Sequence, residues 1–303
     1  MISFRYHLVS IIAVFLALAL GIVVGATALN GPITKDLRQQ VNDAKKQRDT
    51  LAAQNKLLGT QVDDANQFAS TYGARLVSGT LTGNDILEIV LPGTPSTMVD
   101  GITSQLTAAG GKVTGQVSIT DAYLDPSRGT GITSLATGPV RPLAWTAPQT
   151  SDSGRLGGSL LAFVLLGKGQ STDLQQVLGG FSELHMISLG GNDVTPAKNV
   201  VVIGHGVPSG SYATSVELSL VGALADGGHV VVAGDAGSAT GGGVIAAARG
   251  SQGVRAALSS VDNADTAFGQ VSTALALAAA AKGEEGHYGT GQGADALYPA
   301  PPK

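Results

Sequence analysis

The stretch "NVVVIGHGVPSG", Asn199 to Gly210, decides the fold. Its four consecutive aliphatic residues show no polar alternation, which describes a strand buried on both faces, and such strands belong to parallel sheets covered by helices. A glycine- and proline-rich turn follows, and helical spacing resumes near Tyr212 to Ala225. The pattern repeats at once. "HVVVAGD" (His229 to Asp235), a helix near Gly243 to Arg249 and "VRAALSSVD" (Val254 to Asp262) complete a β-α-β-α-β series. Upstream, "ILEIVLP" (Ile86 to Pro92), "STMVDGITSQLTAAG" (Ser96 to Gly110) and "KVTGQVSIT" (Lys112 to Thr120) form a βαβ unit. Between the halves, Gly129 to Pro148 reads as loop, followed by helices near Gly154 to Leu166 and Thr172 to Leu184. A last helix near Thr266 to Lys282 precedes the tail 283–303, whose glycines and prolines argue against regular structure. The expectation is an α/β, Rossmann-like domain over 80–282 with a mostly parallel sheet.

The amino-terminal region obeys other rules. No charge interrupts the chain between Arg5 and Lys35, and Leu8 to Leu29 is about 22 residues. That length crosses a ~30 Å hydrocarbon core at ~1.5 Å per residue. Signal-peptide cores are shorter, so residues 1–30 read as a retained transmembrane anchor. Ala26-Thr27-Ala28 keeps cleavage and release to the outer envelope open as the alternative. More basic residues follow the span than precede it, so the positive-inside rule taken literally places the bulk in the cytoplasm. Because that rule weakens for long translocated domains, an extracytoplasmic domain is expected instead.

After Asn30-Gly31-Pro32, where a break is expected, residues 34–72 read as a helical stalk. Leu37, Val41, Ala44, Arg48, Leu51, Asn55, Leu58, Val62, Ala65 and Ala69 fall on an alternating 4-3 spacing. This is the seam of a two-stranded coiled coil, with Asn55 fixing register, and it predicts a homodimer. A helix lying on the chain's own domain would show the same stripe.

Composition narrows the function. Net charge is −4 and the only basic cluster is Lys45-Lys46-Arg48, which gives no footprint for nucleic acid. The absence of cysteine excludes disulfides, thiolate metal sites and a cysteine nucleophile. Gly204-x-Gly206-x-x-x-Gly210 departs from dinucleotide-binding spacing, and Pro208 occupies its turn, so no cofactor is expected. His205, Ser209 and Asp235 can be drawn as a triad, but Ser209 lacks a nucleophile elbow. No catalytic residue is assigned and no enzyme is expected. The histidines stand apart in sequence, leaving His287 as a weak metal candidate.

Two end motifs carry a resemblance: the opening "MISFRYHLVSIIAVFLALALGIVVG" and the closing "GHYGTGQGA", joined by "VDNADTAFGQVSTALALA". Together with the order of anchor, stalk and α/β body, they resemble the actinobacterial MctB family, named for copper transport and described as an outer-membrane protein. The family pattern marks Gly286, His287, Tyr288, Gly289 and Gly291 in the tail. The resemblance extends to corynebacterial SteB, a membrane-anchored partner of SteA implicated in cell separation. It implies a non-enzymatic envelope scaffold or regulator of cell separation and cell-wall hydrolysis, with a SteA-like membrane partner or a wall hydrolase. Its alternative implication is copper export or tolerance, with copper as a ligand. An outer-membrane barrel requires ~10-residue alternating strands, and the apolar runs here are those of a soluble parallel sheet.

Overall fold

The computed structural model describes residues 4–190 and 193–300, apart from the side chains of 27–34. It divides into two compact units, Met1–Asp64 and Ala65–Lys303.

The first unit is helical. α1 (Phe4–Val77) continues through Asn30-Gly31-Pro32, where a break is expected. A proline removes one backbone bond, and uninterrupted turns on both sides outweigh that loss. Phe4–Ala26 has a mean hydropathy of 2.9 and none of its most apolar stretch is buried, which fits a membrane span. Beyond it, the seam residues Leu37, Val41, Leu51, Leu58 and Val62 are exposed. Ala69 is not. With Gly73 and Val77 it forms an i, i+4, i+8 stripe buried in the second unit, where Gly73 lies against Val271 and Gln105. The end of the expected seam is therefore claimed by the domain, which reaches back to Ala65 and not only to Thr80.

The second unit is built on one sheet in the order β3-β2-β1-β4-β5-β6-β7. Its strands are β1 (Asp85–Val90), β2 (Lys112–Ile119), β3 (Ile187–Gly190), β4 (Asn199–Gly204), β5 (His229–Gly234), β6 (Ser259–Val261) and β7 (His287–Tyr288). All neighbours pair in parallel except β3, which runs antiparallel to β2. The mostly parallel α/β class expected from the apolar runs is the class observed. Alternation along each strand divides the core. Leu87, Ile89, Val200, Val202, Val230 and Val232 enter one cluster, and Ile86, Val90, Val201, Ile203, Val231 and Ala233 the other. Each fully buried aliphatic side chain contributes roughly 1.5–3 kcal/mol relative to exposure.

One face is covered by α2 (Ser96–Ala108), α10 (Ala267–Ala280) and the end of α1. The other is covered by α3 (Asp121–Leu124), α4 (Gly129–Thr137), α5 (Ser153–Leu165), α6 (Ser171–Glu183), α7 (Ser211–Ala225) and α8 (Val244–Gly250). The short α9 (Gln252–Arg255) precedes β6. Glu88, the polar residue inside the β1 run, is buried and accepts a 2.6 Å hydrogen bond from Thr103 of α2. Burial pushes its carboxyl up, and the Thr103 bond partly opposes this.

Two further sequence expectations need correction. Gly129 to Pro148 is not all loop, because α4 occupies its first half and buries Ile132 and Ala136. The tail is not wholly irregular either: β7 pairs with β6, and Tyr288 bridges to Ala296. In both places tertiary burial overrides weak local propensity.

Candidate functional site

Strand order reverses at β1: the chain moves outward to β2, then returns to place β4 on the other side of β1. In open α/β sheets the crevice beyond the carboxyl ends of the strands at such a point is where ligands bind. A cavity of about 580 Å³ lies there. Leu91, Pro92 and Gly93 line it from the end of β1, and His205 to Ser209 line it from the end of β4. Asp121, Leu124 and Asp125 contribute from α3 and its exit, and Ala213, Glu217 and Val244 from α7 and α8.

Glu217 is the unusual member. The side chains of α7 around it are held by close packing: a Cβ at Gly158 of α5 would fall 2.9 Å from the Leu220 backbone, and one at Gly154 2.9 Å from Val216. This glycine pair lets two helix backbones approach and fixes α7 over the cavity. Glu217 is 4% exposed, and the described residues offer its carboxyl no hydrogen bond or ion pair. Burial alone pushes it up to about 7.

His205 faces the same cavity. Its Nδ1 lies 3.3 Å from Asp235 Oδ2, while Asp235 Oδ1 accepts from the backbone amides of Gly206 at 2.7 Å and Ser238 at 3.0 Å. Burial pushes Asp235 up, but these amides and the neighbouring imidazole together hold its carboxyl below the usual range. Two of the three residues drawn as a triad thus meet. Ser209 lines the cavity without a hydrogen bond to His205 among the described residues.

The tail motif forms a separate arrangement around Asp262. Asp262, at the end of β6, is buried with Arg249 of α8, Nη1 to Oδ2 2.6 Å. Thr290 and Gly291 donate their backbone amides to the same carboxylate at 2.8 and 3.0 Å, and Arg249 donates to the Tyr288 carbonyl at 2.9 Å. Gly289, at φ 121°, passes so close that a Cβ would fall on the Asp262 carboxylate. His287 is buried, not an exposed tail ligand. Its Nε2 lies 3.1 Å from the Arg255 carbonyl, which can only accept. Nε2 therefore carries the proton, and Nδ1 accepts from Ser260 Oγ at 2.8 Å. Burial, then the Arg255 charge, lowers its pKa. Both ring nitrogens are occupied, so His287 is not available to a metal in this conformation.

Among the described residues no three His, Asp or Glu side chains converge as a metal cage. His185 is exposed in a turn at φ 56° and His229 opens β5, each away from the cavity lining.

Fold and site define a protein with, among the described residues, one membrane-compatible helix and an α/β domain that carries a cavity at its switch point. The family model described as "Copper transport outer membrane protein, MctB" matches residues 1–299, and the chain belongs to that family. It is 28% identical to the copper transporter MctB of Mycobacterium tuberculosis over 307 residues, covering 97% of this chain and 98% of that protein. The same figures hold for the copper transporter MctB of Mycobacterium bovis. The Mycobacterium leprae relative of that name is 30% identical over 313 residues, covering 98% and 99%.

Proposed function

We propose that this chain is a membrane-anchored envelope protein that takes part in copper export or tolerance, acting without catalysis and with copper as its cargo. The observation that carries the reading is the match to a copper-transport family over residues 1–299, anchor and domain together. Among the described residues the seven strands form an open sheet, not a closed barrel, and the one apolar span found there offers no pore by itself. The proposed role is accordingly an accessory one at the membrane face, with the domain outside the cell membrane. No copper ligand is assigned. Deleting the gene should make cells copper-sensitive, restored by the full chain but not by one lacking residues 1–30. Unchanged copper tolerance in the deletion strain would sink the proposal.

A second reading, a scaffold for a SteA-like partner or a wall hydrolase, is favoured by one feature, the exposed seam from Leu37 to Val62. The relatives' names do not point to cell separation. A deletion strain that tolerates copper normally but fails to separate its daughter cells would bring this reading forward.

A further inference from the structure

We propose that the switch-point cavity is a binding site for a small organic ammonium ion, whose charged head pairs with Glu217 and whose apolar body rests on Leu91, Leu124 and Val244. Three observations converge on it. The cavity has room for a small molecule, about 580 Å³, where open α/β sheets bind ligands. Its lining contains the carboxyls Asp121, Asp125 and Glu217 and no lysine or arginine, a composition that attracts cations and opposes phosphates and carboxylates. Glu217 is more than nine-tenths buried, lines the cavity and has no protein partner among the described residues.

A carboxyl largely withdrawn from water and without a protein partner costs stability, and Glu217 keeps only the residual solvent contact that the cavity allows, held there by the packing of α7. An ammonium group removes that penalty by donating to the carboxylate. A bare metal ion is a poorer fit, since no cluster of three donors is present among the described residues. The N-terminus of α7 favours anions only weakly, and the carboxyls outweigh it.

Binding should be linked to pH. The titratable groups lining the cavity with Glu217 are Asp121 of α3, Asp125 beyond it and His205 after β4; α8 contributes only Val244, and α5 and β5 contribute none. Asp125 is held below its usual range, chiefly by the Ser127 amide, and stays charged. Glu217, pushed up to about 7, must lose its proton to pair with the ligand.

The test uses the full chain in detergent micelles with n-butylammonium chloride, n-butanol and butyrate as cationic, neutral and anionic probes, and Cu²⁺ alongside. n-Butylammonium should raise Tm and bind roughly tenfold more tightly at pH 8 than at pH 6, the ratio set by ionisation of a group titrating near 7. Below pH 7 calorimetry in buffers of different ionisation enthalpy should show nearly one proton released per ligand. Glu217→Gln, nearly isosteric, should abolish the response, as should Ala213→Leu, which fills the cavity without touching the charge. Equal responses to butanol or butyrate, a response that survives Glu217→Gln, or binding without proton release would overturn the proposal. So would a Glu217-dependent response to Cu²⁺ with none to the ammonium. Copper tolerance in cells is a separate readout, so failure here leaves the copper reading standing.

Discussion

Tyr123 of α3 shows how a single atom sets the local energy. Its ring is fully buried beside Phe181, but its hydroxyl finds no partner among the described residues. Burial pushes that hydroxyl well above its ordinary pKa, so it remains a neutral donor with nothing to donate to. Replacing a buried unpaired hydroxyl by hydrogen removes a desolvation penalty of about 1 kcal/mol. Tyr123→Phe should therefore stabilise the protein by that amount in urea denaturation; a loss of stability would mean the hydroxyl is satisfied by water. Asp262 is the opposite case, with three donors, the Arg249 Nη1 and the Thr290 and Gly291 amides, around one carboxylate. Asp262→Ala strands the Arg249 guanidinium in the interior and should cost about 3–5 kcal/mol, measured by the same denaturation. Glu217 was not legible in the sequence. A lone glutamate within a helical pattern reads as part of the solvent face, and only the glycine pair on α5, which draws α7 inward, turns it to the cavity. His205 and Asp235 are drawn in the sequence only as parts of a discounted triad with Ser209; they meet because the residues after the parallel strands β4 and β5 are brought together by the register itself.

At the scale of elements, legibility followed burial. β1, β4 and β5 are continuous apolar runs buried on both sides, and their boundaries agree with the sequence reading to within two residues. β3 and β7 are edge strands of four and two residues, too short for any periodicity, and their place is set by neighbours far away in sequence. α4 was hidden by its composition, GTGITSLAT, which has weak helix propensity. The α1 seam was legible, but its end was not assigned correctly: Ala69 packs on the domain, while Leu51 and Leu58 remain exposed. Pairing of two chains through that exposed portion is a prediction of this geometry. Leu51→Lys with Leu58→Lys should convert a dimer to monomers in sedimentation velocity and leave the domain's circular dichroism unchanged. Wild-type chains that sediment as monomers would refute the pairing.

For the whole molecule, the partnerless carboxyl gives stability a particular dependence on pH. A folded-state pKa near 7 against the usual 4.5 means that the folded protein holds a proton the unfolded chain has lost. Stability is greatest below about 4.5 as far as this group is concerned, and falls as pH rises through 7. The full effect is on the order of 3 kcal/mol. Glu217→Gln should flatten this slope and melt above the wild type at pH 8 in ligand-free buffer, with the two converging near pH 5. His287 acts in the reverse direction: burial, with Arg255, lowers its pKa, so its contribution is lost as pH falls below its ordinary value.

The lock around Asp262 also imposes an order in time. The strand carrying Asp262 and the helix carrying Arg249 leave the ribosome before residues 286–293, which supply the two amides and the glycine that close over the carboxylate. Until those last residues arrive, β6 is an open edge, and an unpaired edge invites association with other chains. The domain thus cannot finish folding while most of it is already synthesised. A released chain ending at Glu285 should remain sensitive to protease and recruit holding chaperones, whereas a released chain extended past Ala296 should become resistant within the time of a single domain's folding.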